Sequence, residues 1–215
     1  MQLTSADFKA LVKKWADLML QNKDRLIKMD GIVGDSDLGL TMSDGFKAAF
    51  DAIAEADETD IGKLSYLAGK AMASAVPSTM GTLMASGFME AGKALKGSDA
   101  LTSKGIYTFF SSYAAGIQKR GGAKPGEKTF LDGWTACLER MKTDVDADIS
   151  IIDTADALPA LSHADLLATG NMLAKHGRAA ARREQARNML DPGAAVAELM
   201  IIGYNKYIMD RFNYY

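Results

Sequence analysis

The sequence has a single cysteine, four prolines and two histidines in 215 residues, and no long apolar run. With Cys137 alone there is no internal disulfide framework, and the chain suits a reducing compartment. Two histidines, His163 and His176, are too few for a histidine-based metal centre. No apolar stretch approaches the ~20 residues of a membrane span, so no membrane partner is expected. Met1-Gln2-Leu3-Thr4-Ser5-Ala6-Asp7 lacks the basic start and apolar stretch of a signal peptide, which predicts a cytoplasmic protein. Charge of one sign is also missing. Twenty-five Lys and Arg against 27 Asp and Glu leave a net charge of −2, too little positive charge for a nucleic-acid partner. P-loop, G-x-S-x-G and H-E-x-x-H motifs are absent.

What is present is helical pattern. About half the residues (48%) are apolar, enough for one domain over residues 1–215 to bury a core without staples. Phe8, Leu11, Val12, Trp15, Leu18 and Met19 share one helical face, with Ser5 as the expected N-cap. Similar stripes follow at Phe46–Ile53, Ile61–Met72 (ending near Pro77), Leu83–Leu95, Ile106–Ile117 and Phe130–Met141. The segment 151–175 carries Pro159, so a late start or a kink is expected there. Asp191-Pro192-Gly193 opens a last helix, with Val196, Leu199, Met200 and Tyr204 inward. No stretch alternates as a strand would. The fold class expected is all-α, with about eight helices. Cys137, on an apolar helical face, reads as core.

Chemistry is concentrated in the loops. Asp30, Asp35 and Asp37 fall within eight residues, separated by glycines that permit tight turns. Such carboxylates repel unless a cation lies among them, and hard oxygen ligands suit Mg²⁺. An EF-hand is excluded, because the position that needs Glu, counted from Asp35, is Phe46. Thr41 is the expected cap of the next helix, whose N-terminus would face an anion beside the metal. The alternative is a solvated turn in which the aspartates only cap helices. Pro77-Ser78-Thr79-Met80-Gly81-Thr82 offers further N–H groups and hydroxyls. The loop from Lys119 to Thr129 combines glycine, proline and charge, and reads alone as a basic surface turn. Lys175-His176-Gly177-Arg178 reads as the end of a helix.

Taken together, these loops resemble the nucleotide-binding (L) subunit of dihydroxyacetone kinases over nearly the whole chain. Asp30…Gly34-Asp35-Ser36-Asp37-Leu38-Gly39 is similar to the family's D-x3-G-D-x-D-H-G. Arg120-Gly121, Pro125-Gly126-Glu127-Lys128-Thr129 and Asp132 resemble R-G…P-G-D-K-T-x-x-D. Gly177-Arg178-Ala179 and Asp191-Pro192-Gly193-Ala194 match G-R-A and D-P-G-A. Four pieces in the right order make the likeness specific.

The resemblance implies a barrel of eight antiparallel helices with the nucleotide, ADP or ATP, capping one end. It implies two Mg²⁺ ions on Asp30, Asp35 and Asp37. Nucleotide contacts fall on Leu38, Gly39, Leu40 and Thr41, on Thr79 and Met80, on Gly121 and Phe130, and on Arg178, Asp191, Pro192 and Gly193. Arg178 takes the catalytic place, facing charge on the transferred group. Phosphoryl transfer needs positioning and charge neutralisation rather than a covalent catalyst. The implied partners are a ketose-binding kinase subunit and, in one branch, a phosphohistidine protein of the phosphotransferase system that recharges ADP. The expected function is phosphoryl transfer to dihydroxyacetone or a similar ketose. A regulatory paralogue and a kinase for another small acceptor are the alternatives.

Three departures stand out. Leu38 replaces the family's His, and Met80 replaces a phosphate-facing Ser. Of the family's S-Y-x-G-E-R-S-x-G, the segment Ala180–Asn188 keeps only Glu184, so a remodelled lid is expected over the nucleotide.

Overall fold

The computed structural model describes residues 1–212. Among them, eight long helices close into a ring. They are α1 (Ser5–Gln21), α3 (Leu38–Ala54), α4 (Ile61–Ala75), α5 (Thr79–Ala94), α6 (Ser103–Gly121), α7 (Thr135–Asp146), α8 (Ile151–Ala168) and α11 (Pro192–Phe212). Each packs on the next in that order, and α11 returns to α1. A short α2 (Lys23–Asp30) lies against α3 and α11, while α9 (Gly177–Ala181) and α10 (Arg183–Ala186) belong to the long α8–α11 connection. The expected all-α barrel of eight antiparallel helices is therefore what the chain forms.

Side-chain bonds between neighbours set the antiparallel order. Trp15 Nε1 donates to Met200 O at 2.8 Å, while Tyr207 Oη donates to Asp7 Oδ1 at 2.7 Å. Ser65 Oγ donates to Phe88 O at 2.7 Å. Where α4 crosses α5, a Cβ on Gly62 would lie 2.6 Å from Gly92 O, and one on Gly92 equally close to Gly62 O. Only glycines let these backbones touch. The barrel interior is filled by aromatic rings. Trp15 stacks on Phe109 at 5.9 Å, Phe110 stacks on Trp134 at 5.0 Å, and Phe88 meets Tyr113 edge-on at 5.1 Å. Cys137 is buried in the core, and burial pushes its thiol up to about 12.

Local expectations need four corrections. The cap of α1 is Thr4, not Ser5, because Thr4 Oγ1 accepts from Asp7 N while Asp7 accepts from Thr4 N, a reciprocal capping box. A minimal antiparallel pair, β1 (Leu3–Thr4) with β2 (Ala100–Leu101), joins the chain start to the α5–α6 connection. Two residues per strand are too few to show alternation. Thr41 does not cap α3, which already begins at Leu38, and its side chain is buried. Lys175–Arg178 does not end a helix either. α8 stops at Ala168, and Gly177 opens α9 from a left-handed φ of 63°.

Of the two alternatives at Pro159 the late start is not what forms, since α8 runs from Ile151 to Ala168 with the proline inside it. A proline at 159 cannot donate to Ala155 O, the acceptor four residues back. Asn205 Nδ2, on α11, donates to that carbonyl at 3.0 Å. A tertiary contact therefore satisfies the group that the proline leaves open.

Candidate functional site

Antiparallel packing collects the C-termini of α2, α4, α6 and α8 and the N-termini of α3, α5 and α11 at one end of the barrel. The acidic loop joins α2 to α3 there. Asp30 is the last residue of α2, and its carbonyl accepts from Val33 N and Gly34 N at 3.2 and 2.6 Å. Its Oδ2 accepts from Asp37 N at 3.1 Å, pulling the loop into a tight ring. Gly34 is required for this, since a Cβ there would lie 2.0 Å from Asp30 Oδ1. Asp30, Asp35 and Asp37 each bring one carboxylate oxygen into a group whose members lie within 4.8 Å of one another. Partial burial, then the charges of Asp35 and Asp30, raise the Asp37 carboxyl above its ordinary value, with Arg178 opposing. Three hard anionic donors at this spacing match a divalent cation that prefers oxygen.

Arg178, from α9, reaches the same cluster, with Nη2 2.5 Å from Asp35 Oδ2. Arg182 Nη1 donates to Val33 O at 3.2 Å. The matched Gly177-Arg178-Ala179 and the altered stretch after it each reach the acidic loop through one arginine. The sequence reading singled out only Arg178. Arg182 stands in a stretch without motif likeness, where no local signal marks it.

The expected nucleotide contacts divide by what they can offer. Leu38 points its side chain into the core, at 6% exposure, so only its backbone is at the helix start. Gly39 presses against α2, where a Cβ would lie 2.2 Å from Lys23 O, whereas Leu40 is exposed. At α5, Ser78 caps the helix by accepting from Gly81 N at 3.0 Å, Thr79 is exposed, and Met80 packs half-buried on the core. Gly121 ends α6 beside Leu83 of α5, 3.0 Å from where its Cβ would be. Phe130 begins a 3-10 turn, Phe130–Gly133, that abuts the start of α11, with its N 3.0 Å from a Cβ placed on Gly193. Asp191 caps α11, accepting from Ala194 N at 2.7 Å, and its own N donates to Thr169 Oγ1 at 2.9 Å. Burial pushes the Asp191 carboxyl up to about 7. The Ala194 N–H holds it down, Asp132 adds to the rise, and Lys128 opposes it.

The loop before the 3-10 turn is not a bare surface turn. Asp132 accepts from Thr129 N at 2.6 Å and from Gly126 N, folding the loop on itself. Glu127 accepts from His176 Nε2 at 2.6 Å, and that bond, with Lys124 N–H and Lys175, holds its carboxyl down at about 2. The other histidine, His163, pairs through Nδ1 with Glu198 at 2.7 Å. No helix among the described residues is long and apolar enough to cross a membrane.

The chain is 27% identical over 201 residues to the ADP-binding subunit DhaL of the PEP-dependent dihydroxyacetone kinase of Escherichia coli (strain K12), covering 94% of this chain and 96% of that protein. It is 30% identical over 195 residues to the DhaL subunit of PEP-dependent dihydroxyacetone kinase 2 of Listeria innocua, with 89% of each covered. An L-erythrulose 1-kinase of Mycolicibacterium smegmatis is 27% identical over 187 residues, which are 86% of this chain but 32% of that enzyme. The native-form crystal structure of the dihydroxyacetone kinase of C. freundii shares the fold with a TM-score of 0.71 at 19% identity. It is matched over 94% of this chain, which spans 34% of that kinase. The DAK2 domain matches residues 32–206, which include Asp35, Asp37 and Arg178. On the strength of that match, the chain belongs to the DAK2 domain family.

Proposed function

We propose that the chain, as one L-type domain over residues 1–215, is the nucleotide-binding subunit of a dihydroxyacetone-kinase-like phosphotransferase. It binds Mg²⁺ with ADP or ATP and passes phosphate to dihydroxyacetone or a similar small ketose held on a partner subunit. One observation carries this reading. The carboxylate oxygens of Asp30, Asp35 and Asp37 converge within 4.8 Å at the barrel end where the N-termini of α3, α5 and α11 open. Asp30, Asp35 and Asp37 would hold the Mg²⁺, two ions in this reading, which would supply charge neutralisation for the phosphates.

The chain's own residues supply the rest. Backbone N–H groups of Leu38, Gly39 and Leu40, and of Thr79 and Met80, face phosphate oxygens with the positive ends of their helix dipoles, whereas the Thr41 N–H is already given to Asp37 O at 2.8 Å. Gly121, Phe130 and Asp191-Pro192-Gly193 frame the nucleotide. Arg178 stabilises charge that develops on the transferred phosphoryl. Relatives named as PEP-dependent and PTS-dependent kinases favour a phosphohistidine protein as the source of that phosphoryl, with ADP retained.

A second reading has its own support. Relatives include an L-erythrulose 1-kinase and a D-erythrulose kinase, which favours a four-carbon ketose as acceptor. A purely regulatory role loses support because Arg178, just before the altered segment, meets Asp35. The test is to purify the protein and identify bound nucleotide by mass spectrometry and metal by elemental analysis. ADP or ATP with magnesium is expected. Neither one bound, together with no heat on titration with Mg²⁺–ADP, would refute the reading.

A further inference from the structure

Lys128 has an unusual setting for a lysine. It is 4% exposed, and its backbone takes a left-handed φ of 61°. A long side chain adopts that region only when its surroundings impose it. The ammonium donates to Ala186 O at 2.8 Å and to Met172 O at 3.4 Å. Both of these acceptors are neutral carbonyls, and the Asp191 charge acts on the ammonium less than its burial does. Burying an unpaired cation is costly, so the position calls for a reason beyond surface solubility.

The two acceptors supply one. Met172 lies just before the lid segment and Ala186 at the end of α10, so one ammonium ties both ends of the intervening stretch. The neighbouring Glu127 strengthens the first attachment. Its carbonyl accepts from Lys175 N at 3.2 Å and its carboxylate from His176 at 2.6 Å. Between those ends stand Arg178 and Arg182, the two residues that reach the acidic loop at Asp35 Oδ2 and Val33 O. A chain segment closed at its base has far fewer conformations than one free at either end.

We propose that Lys128 is a positioning residue. It clasps the two ends of the 172–186 segment and thereby holds Arg178 and Arg182 over the metal and phosphate site. Its effect on nucleotide rests on the function proposed above, while its effect on the segment does not. The left-handed backbone keeps the ammonium at this point of the loop, and the buried carbonyls make it the donor at both closures.

Two variants test this. Lys128→Met keeps the stem and removes the ammonium. Lys128→Gly also removes the side chain but accepts the left-handed φ without strain. Hydrogen exchange at amides 177–187, and tryptic cleavage after Arg178, Arg182 and Arg183, are compared with exchange in α4 and α5. The expected result is lid exchange and cleavage at least about tenfold faster, with α4 and α5 unchanged, in whichever variant folds. Exchange that rises equally everywhere, or stays unchanged in the lid, would overturn the clasp, as would failure of both variants to fold. In a second measurement, release of a fluorescent ADP analogue in Mg²⁺ should be about tenfold faster in the variants. If the wild type binds no Mg²⁺–ADP, the proposed function fails and exchange alone judges the clasp. If it binds and release is unchanged while the lid loosens, positioning over the site is wrong.

Discussion

Arg178 Nη2 lies 2.5 Å from Asp35 Oδ2, joining the connection before the last helix to the loop that follows α2. The Arg178 side chain remains 60% exposed, so the pair adds little to stability. Its significance is placement. A fixed positive charge beside three carboxylates is the arrangement that the proposed metal and phosphate site requires.

Asp30→Asn, Asp35→Asn and Asp37→Asn should each abolish most of the stabilisation given by Mg²⁺–ADP. At about 100 times Kd that stabilisation is roughly 2.7 kcal/mol, a melting shift of roughly 5–10 °C for a domain of this size. Without ligand, Asp37→Asn should melt at or above the wild type, because the substitution relieves the repulsion that Asp35 and Asp30 exert on the Asp37 carboxylate. Thermal melts with and without Mg²⁺–ADP decide it. Full shifts in all three variants would leave only a capping turn.

Restoring the family's histidine at position 38 should not help by itself. Leu38 is buried in the core, so Leu38→His replaces apolar packing with a polar ring and should cost about 2–4 kcal/mol. Met80→Ser, at a half-buried position, should be milder. Urea unfolding of the two variants tests the order. A stable Leu38→His protein with tighter Mg²⁺–ADP binding would show that the side chain swings out to the phosphates.

Two buried aspartates should make stability depend on pH in opposite senses. Asp191 is raised to about 7 in the fold, from near 4 unfolded, so the native state holds the extra proton between those values. Its contribution is complete below pH 4 and is lost as pH rises to 7, by up to roughly 4 kcal/mol. Burial also raises Asp7, but bonds from Thr4 N, Tyr207, Thr4 Oγ1 and Arg211 outweigh it and hold the carboxyl at about 2. That contribution is present above pH 4 and is lost as pH falls to 2, roughly 2 kcal/mol. Denaturant unfolding at pH 3, 5 and 8 should show Asp191→Asn flattening the fall toward pH 8, and Asp7→Asn flattening the fall toward pH 3. Parallel curves for variants and wild type would contradict both assignments.

Asn205 should matter only because of Pro159. Asn205→Ala leaves Ala155 O without a donor and should cost about 1–2 kcal/mol. In a Pro159→Ala background, α8 regains its own N–H to that carbonyl, and the same substitution should cost less. A double-mutant cycle measures the coupling. Additive effects would mean that the Asn205 bond is incidental.

The isolated chain should not phosphorylate a free ketose, and adding a ketose-binding partner subunit should be necessary for turnover. A coupled assay with and without that subunit decides the matter. Robust turnover by the chain alone would end the two-subunit reading.

The sequence by itself determined the helices that have one apolar face, because the 3.6-residue period is local: the stripe from Phe8 to Met19 and the stop before Pro77 both appear where expected. It also determined that three carboxylates share one loop. Tertiary structure alone decided the rest. Pro159 sits in an unbroken helix because Asn205, on another element, reaches its orphan carbonyl. Leu38 faces the core because α3 starts earlier than a Thr41 cap would allow, which turns that first residue inward. Arg182 and Lys128 acquire their roles from partners at Val33, Met172 and Ala186. Periodicity records which face of a helix is apolar, but it holds no record of which distant carbonyl a buried ammonium or amide will meet.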